Sequence, residues 1–270
     1  MRKLWVSISG GRTSAYMAIK LKMQYADRFD LKFIYANTGL EHEETLIFLD
    51  KIDRRYQLGV TWVETVVHPE FGKGSTHTVV DFDSACRDDR LFNEMVDVYG
   101  IPNPAYLHCT RELKVNPMNS YVKSIGWGKE FRAIGIRIDE MGRASKKASV
   151  ERKVYPLIDF FPIDKEGVID WFKGRDYDLK IPEHLGNCVT CWKKSDTKIL
   201  RIIDEEPERF NAFRKMEEEK GLCGHNVDGT KRVFFRQNRS VNDMFALNKA
   251  LPELDFKSLD RCSNEECGMQ

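Results

Sequence analysis

The N-terminal segment WVSISGGRTSAYMAIKL, residues 5–21, constrains the fold more than any other part of the chain. Apolar residues before the two glycines predict a buried strand, and the apolar spacing after them predicts a helix. Gly10 and Gly11 allow a sharp turn, so the backbone can approach an anion at the open N–H groups of the helix. The sequence therefore predicts a phosphate-binding turn, although it contains neither G-x-x-x-x-G-K-[ST] nor G-x-G-x-x-G.

Strand and helix patterns alternate after this turn, which predicts right-handed crossovers and a parallel sheet. The expected fold class is α/β, with a Rossmann-like parallel five-stranded sheet, helices on both faces and a small, mainly helical, cysteine-containing C-terminal appendage. We expect a nucleotide-binding domain at 1–185 and the appendage at 186–270. The polar residues 68–108 predict a weakly structured insertion that covers the substrate. We expect strands near 4–8, 31–35, 60–67 and 130–136, and helices near 13–25, 43–55, 91–98, 116–125 and 194–220.

Composition excludes several classes of protein. The chain has 270 residues, 41% of them hydrophobic, and a net charge of +1. It contains no long apolar run of the length that spans a bilayer and no signal-peptide pattern, so we expect a cytoplasmic protein without a membrane partner. The low net charge gives no long-range attraction to nucleic acid.

The cysteines indicate metal or thiol chemistry rather than disulfides. There are seven, an odd number, and no export signal accompanies them. Cys188 and Cys191 form a C-x-x-C pair that can hold one metal ion. With Cys223 and His225 they would make a structural zinc site. Cys86 is expected to be an ordinary buried or loop cysteine.

Five motifs resemble, in order, those of the adenine nucleotide α-hydrolase (PP-loop) superfamily, which holds ATP pyrophosphatases, tRNA-thiolating enzymes and phosphoadenosine phosphosulfate (PAPS) reductases. SGGRTS at 9–14 resembles the pyrophosphate loop S-G-G-x-x-S. ANTGLEHEETLIF at 36–48 resembles the second-strand motif. CTRELKVNPM at 109–118 and GIRIDEMGR at 135–143 resemble segments of the same enzymes. YPLIDF, Trp171 and GNCVTC at 186–191 complete the series.

The resemblance implies which residues bind the nucleotide and which act on it. It implies a nucleotide, ATP or PAPS, and allows for Mg²⁺ at Asp139 and Glu140, which could instead orient the arginines. Many family members have Lys-Asp after the two glycines, so the Arg12-Thr13 pair removes a familiar magnesium contact. The residues implied in nucleotide binding are Ser9, Gly10, Gly11, Arg12, Thr13, Ser14, Asn37, Thr38, Gly39, Gly135 and Arg137. Those implied in catalysis are Arg12, Arg137, Arg143 and Cys267.

The resemblance also implies a [4Fe–4S] cluster on Cys109, Cys188 and Cys191. A fourth ligand would come from His108, Cys223, Cys262 or Cys267, or one iron would stay open. Zinc and the absence of a metal remain alternatives. The tail ECGM at 266–269 resembles the E-C-G-[IL]-H ending of the sulfonucleotide reductases, in which the cysteine is the nucleophile, although Gln270 replaces the histidine.

Three functions follow from these features. The first is an ATP pyrophosphatase that adenylates a substrate and releases pyrophosphate in sulfur transfer or thiolation, and it requires a sulfur donor. The second is a PAPS or adenylyl-sulfate reductase with Cys267 as nucleophile and a thioredoxin-like reductant. The third is a non-catalytic nucleotide-binding adaptor. KRVFFRQNR at 231–239 allows a nucleic acid substrate, but a strand with a basic exposed face is the favoured interpretation. The oligomeric state is left open.

Overall fold

The computed structural model describes residues 1–224 and 229–251, and these form an α/β fold around one six-stranded sheet. The strand order is β4-β3-β2-β1-β5-β6. All neighbours pair in parallel except β3 and β4, which are antiparallel. The strands are β1 (Arg2–Ile8), β2 (Phe29–Ala36), β3 (Thr61–Val67), β4 (Ser75–Val80), β5 (Phe131–Ala133) and β6 (Lys153–Val154).

Helices cover both faces of the sheet, as the sequence predicts. None of those in the described ranges combines the length and the apolar character that crossing a membrane requires. A π-helical turn at Arg111–Val115 joins α4 to α5. The helices are α1 (Arg12–Tyr25), α2 (Glu43–Tyr56), α3 (Arg90–Tyr99), α4 (His108–Thr110), α5 (Asn116–Ser124), α6 (Pro156–Asp159), α7 (Lys165–Phe172), α8 (Asp196–Glu205), α9 (Asn211–Lys220) and α10 (Val241–Ala250).

Alternation along β1 explains how the sheet is sandwiched. Leu4, Val6 and Ile8 face a core formed with α1, α2 and α7. Trp5 faces the opposite side, where it packs in a second core against residues of α5 such as Met118. Because successive side chains of a strand point to opposite faces, both faces of this central strand are buried. The α/β fold class is therefore confirmed, but the sheet has six strands rather than five, and one of them is antiparallel.

The extra strand lies in residues 68–108, which are not weakly structured. His68 donates its backbone N–H to the carbonyl of Gly74, closing a hairpin between β3 and β4. Gly72 and Gly74 both have a positive φ, +85° and +79°, which a glycine adopts without strain. The two glycines therefore indicate the turn. The strand after it is not evident from the sequence, because β4 is partly exposed and contains several polar residues.

The C-terminal helices share an apolar core with α3. Met95 of α3, Ile199 of α8 and Phe213 of α9 are buried in it. The predicted single helix at 194–220 is two helices, because Pro207 cannot continue α8.

Two further expectations concern this region. The strand at 231–239 is wrong, since Phe234 is buried in the same core and a 3-10 turn follows at Arg236–Asn238. The division at residue 185 stays a prediction.

Candidate nucleotide-binding and thiol site

The glycine turn after β1 leaves the N-terminus of α1 open. Gly10 has a φ of +81°, and a Cβ there would lie 2.6 Å from Cγ2 of Thr45. Gly11 is the N-cap residue and offers no side chain to cap the helix. The hydroxyl of Ser14 accepts a hydrogen bond from the backbone N–H of Ser9 at 3.1 Å and donates one to the carbonyl of Gly11 at 3.0 Å. The first N–H groups of a 14-residue helix can therefore receive an anion.

The loop after β5 meets this turn. Arg137 donates a hydrogen bond from Nη1 to the hydroxyl of Thr13 at 2.9 Å. A Cβ at Gly135 would lie 3.4 Å from Cα of Ser14, so the two backbones are in close contact. Two predicted segments that are distant in the sequence are thus adjacent, and a guanidinium group lies at the first turn of α1.

Acidic residues in the same loop orient the arginines. Arg137 donates two hydrogen bonds to the carboxylate of Asp139, at 2.9 and 2.8 Å, and these lower the pKa of Asp139. Arg143 donates to Glu140 at 2.5 Å. Of the two roles expected for these carboxylates, orienting the arginines is the one that the contacts support.

Arg12 points away from the turn. Its Nε lies 2.6 Å from Oδ1 of Asp178, and its Nη2 donates to the carbonyl of Leu179. The guanidinium therefore links α1 to the segment after α7. A role for Arg12 on pyrophosphate requires this ion pair to open, and it stays a prediction.

The residues after β2 shape the rim mainly through buried contacts. Asn37 is fully buried and donates from Nδ2 to Glu64 at 2.6 Å and to the carbonyl of Cys86 at 2.8 Å. Gly39 has a φ of +79°, and a Cβ there would overlap the carbonyl oxygen of Asp88. A nucleotide at this rim can therefore contact the backbone of Asn37 and Gly39 rather than the Asn37 side chain.

A buried polar cluster joins the end of β2 to the C-x-x-C turn. Thr38 donates its hydroxyl to Glu41, and Cys188 Sγ lies 3.3 Å from that hydroxyl and 3.5 Å from Oε1 of Glu41. Lys114 lies 3.5 Å from the same carboxylate oxygen. Burial raises the pKa of Cys188 to about 12, and the negative charge at Glu41 acts in the same direction. The Cys188 thiol therefore packs against the residues that follow β2, and its convergence with Cys109 on one metal stays a prediction.

The cysteines do not form a ready metal site in the described ranges. Within residues 1–224 and 229–251, no three of the His, Cys, Asp and Glu side chains are arranged to hold one metal ion. Cys188 and Cys191 share a turn, in which the Cys191 N–H donates to the Cys188 carbonyl. Cys223 lies beside Gly100 instead. His225, Cys262 and Cys267 lie outside the described residues, so the fourth ligand and the nucleophile stay predictions.

Three acidic or basic residues at the site were not singled out from the sequence. Glu41 is the centre of the thiol cluster, and Glu64 holds Asn37. Lys114 sits inside the CTRELKVNPM motif and reaches Glu41. The signal for Glu64 was its position in the otherwise apolar strand TWVETVV, because a carboxylate buried in a strand requires partners.

Comparison with known proteins assigns the chain to a family. It is 31% identical over 258 residues to the nin region protein ORF290 of Escherichia phage lambda, which is described as uncharacterized, and the alignment covers 94% of this chain and 87% of that protein. The chain belongs to the ORF290 family. It is also 26% identical over 266 residues to the uncharacterized protein MJ0973 of Methanocaldococcus jannaschii, but it spans only 56% of that protein. No family model matches.

Two solved structures resemble this ORF290-family chain at 15% identity. One is the phosphate complex of PAPS reductase from Candida auris, with a TM-score of 0.38, covering 64% of this chain and 72% of that one. The other is the U34-tRNA thiolase NcsA from Methanococcus maripaludis with its [4Fe-4S] cluster, with a TM-score of 0.37, covering 99% and 75%. One is thus named a PAPS reductase and the other a tRNA thiolase, two of the enzyme classes in the superfamily that the motifs resemble.

Proposed function

We propose that this chain is a nucleotide-dependent enzyme of the PP-loop type, which binds an adenine nucleotide along residues 9–14, 37–39 and 135–137. One observation carries the proposal, the 2.9 Å hydrogen bond from Arg137 to Thr13 at the open end of α1. Helix N–H groups and a guanidinium at one point are a combination that suits phosphate oxygens.

The proposed reaction is adenylation. An oxygen of the acceptor attacks the α-phosphorus of ATP, the bond from that phosphorus to the bridging oxygen breaks, and pyrophosphate leaves with the electron pair. The N–H groups of α1 and Arg137 stabilise the charge on the departing pyrophosphate. A sulfur nucleophile then displaces AMP from the activated carbon. The Cys188 thiol, 3.3 Å from the Thr38 hydroxyl just after β2, supports sulfur as the second nucleophile.

Chromatography of the nucleotide products tests the proposal. ATP with candidate acceptors should give AMP and pyrophosphate without ADP, and Cys267→Ser should leave this adenylation nearly intact. In a PAPS or adenylyl-sulfate reductase, ATP would be inert and the sulfonucleotide would release sulfite with thioredoxin, a reaction that Cys267→Ser would abolish. A folded protein that binds nucleotide and converts none of the three would be an adaptor.

Iron and zinc analysis of anaerobically purified protein tests the three-cysteine prediction separately. Metal that is present in the native protein and in Cys86→Ser, but lost in Cys188→Ser, would confirm it. Cys86 is a suitable control because it is also buried but contacts Asp88 instead. A native protein without stoichiometric metal would contradict the prediction.

A further inference from the structure

Arg132 is a buried cation near the carboxyl end of the central strands. It lies on β5 opposite Trp5 of β1, and 9% of its surface is exposed. Its guanidinium lies over the Trp5 ring, 4.8 Å from the centroid. Nη2 donates a hydrogen bond to the hydroxyl of Ser7 at 3.0 Å. One arginine in a short strand forms no motif, so the sequence gives no sign of this residue's position.

The charge of Arg132 is not neutralised by a carboxylate within the described residues. Arg132 forms no salt bridge with any described residue. Its Nε is buried and has no hydrogen-bond partner among them. Burial lowers the pKa of Arg132 to about 10, and the group that acts against this is the phenol of Tyr155. An arginine with that pKa is still protonated at neutral pH. A buried charge with one hydroxyl and one ring as partners is unfavourable unless an anion completes the site.

The position of this charge relates it to the nucleotide turn. Ser7 is the next-to-last residue of β1, so Arg132 is bonded to the strand that leads directly into the glycine turn. The Ser7 hydroxyl also donates to the sulfur of Met118 in α5, at 3.6 Å. The helical segment before Met118 carries Lys114, which reaches the thiol cluster. Through Ser7, Arg132 is therefore linked both to the strand that leads into the turn and to α5.

We propose that Arg132 is an oxyanion-binding residue, whose counterion is a phosphate or sulfonate oxygen of the bound nucleotide. The Ser7 hydroxyl holds the guanidinium in place, and the Trp5 ring supports it from one side. The choice of the nucleotide as the source of the anion rests on the proposed function. Anion binding itself does not, so the two can fail separately.

The first test measures thermal unfolding against inorganic phosphate. Phosphate should raise the midpoint of the native protein and of Arg54→Met, a control that removes a surface arginine with 74% of its side chain exposed. Arg132→Met should bind phosphate at least ~10-fold more weakly. Without phosphate, its midpoint should equal or exceed the native one, because the variant removes an unneutralised buried charge. A native phosphate response in Arg132→Met would overturn the proposal.

The second test uses the native protein, so it stands even if Arg132→Met does not fold. Crystals soaked in tungstate should show an anomalous peak within hydrogen-bond distance of the Arg132 guanidinium. A well-ordered soaked crystal with no peak there would overturn the proposal.

The third test identifies the source of the anion, using calorimetry with ATP and with PAPS. Arg132→Met should weaken one or both nucleotides by ~10-fold or more. Gly10→Val should lose the nucleotides yet keep the part of the phosphate response that Arg132→Met removes. If Arg132→Met lost the phosphate response but bound both nucleotides normally, the nucleotide would not be the counterion and the proposal would be overturned. If native protein bound neither nucleotide but kept the phosphate response, the proposed function would fail and the anion site would remain.

Discussion

Arg137 and Thr13 are joined by a 2.9 Å hydrogen bond although 124 positions separate them in the sequence. The bond links the loop after β5 to the first turn of α1. It also leaves Arg137 with two bonds to Asp139, so the guanidinium is held on two sides. A preorganised cation of this kind stabilises developing charge without having to reorient during the reaction.

Replacing Arg137 should therefore reduce turnover far more than it reduces stability. We expect Arg137→Ala to lower the adenylation rate by ~10²–10³, equivalent to ~3–4 kcal/mol, while the protein stays folded. Thr13→Val should raise the free-energy barrier to adenylation by only ~1 kcal/mol, because it removes one uncharged hydrogen-bond acceptor. The double variant should be less impaired than the sum of the two single effects, since the residues share one contact. Single-turnover kinetics on the four proteins would show strict additivity if Arg137 and Thr13 acted independently.

The ion pair between Arg12 and Asp178 allows a structural role of Arg12, linking α1 to the segment after α7, to be distinguished from a role on pyrophosphate. Both side chains are about one quarter exposed, at 28% and 26%, so the pair should contribute no more than about 1 kcal/mol to stability. If Arg12 also acts on pyrophosphate, Arg12→Ala should lose ~10²–10³ in rate, whereas Asp178→Asn should keep most of it. Equal effects of the two substitutions on turnover, measured beside their melting temperatures, would mean that Arg12 only links α1 to the segment after α7.

Gly10 is the position where the turn is most sensitive to a side chain. Its positive φ and the 2.6 Å approach to Thr45 mean that Gly10→Val must displace either the turn or α2. We expect a folded protein that no longer binds ATP or PAPS in calorimetry. Gly59→Val is the matched control, because Gly59 also has a positive φ, +68°, but a Cβ there meets nothing within 4 Å. Unchanged nucleotide affinity in a folded Gly10→Val protein would refute the location of the site.

The parts of the site that depend on local sequence patterns could be predicted from the sequence. The strand, the glycine turn and α1 follow from apolar periodicity and two glycines, so their bounds were close to the observed Arg2–Ile8 and Arg12–Tyr25. The proximity of Gly135 to Ser14 was also predictable, since the carboxyl ends of parallel strands lie along one edge.

The remaining contacts depend on tertiary packing, which local patterns do not encode. Arg12 was expected at the phosphate, but Asp178, far away in the sequence, holds its guanidinium. Asn37 was expected to take part in nucleotide binding, but Glu64 and Cys86 bind its side-chain amide inside the core, so only its backbone is left for that role. In both cases a carboxylate and a backbone carbonyl from other parts of the chain bind the side chain, and no sequence spacing marks them.

Glu217 provides a prediction about pH that does not involve the nucleotide site. It is a buried residue of α9 whose two carboxylate oxygens accept the backbone N–H groups of Phe234 at 3.0 Å and Val241 at 2.8 Å. Burial raises the pKa of Glu217 from 4.5 to about 7. The two backbone hydrogen bonds and Arg214 lower the pKa, while the charge of Asp243 raises it, so burial is the dominant effect.

The folded protein holds the Glu217 proton more tightly than the unfolded chain does. The stability that this proton provides is therefore fully present below pH 4.5, and it is lost as the pH rises to about 7. The free energy of unfolding should lose up to about 3 kcal/mol from this residue over that interval. Glu217→Gln should be less stable at low pH, since an amide offers one acceptor oxygen for two N–H groups, but it should lack this pH dependence. Urea denaturation at several pH values, with the exposed neighbour Glu218→Gln as control, measures the slope directly. The same slope in Glu217→Gln as in the native protein would assign the pH dependence to another group.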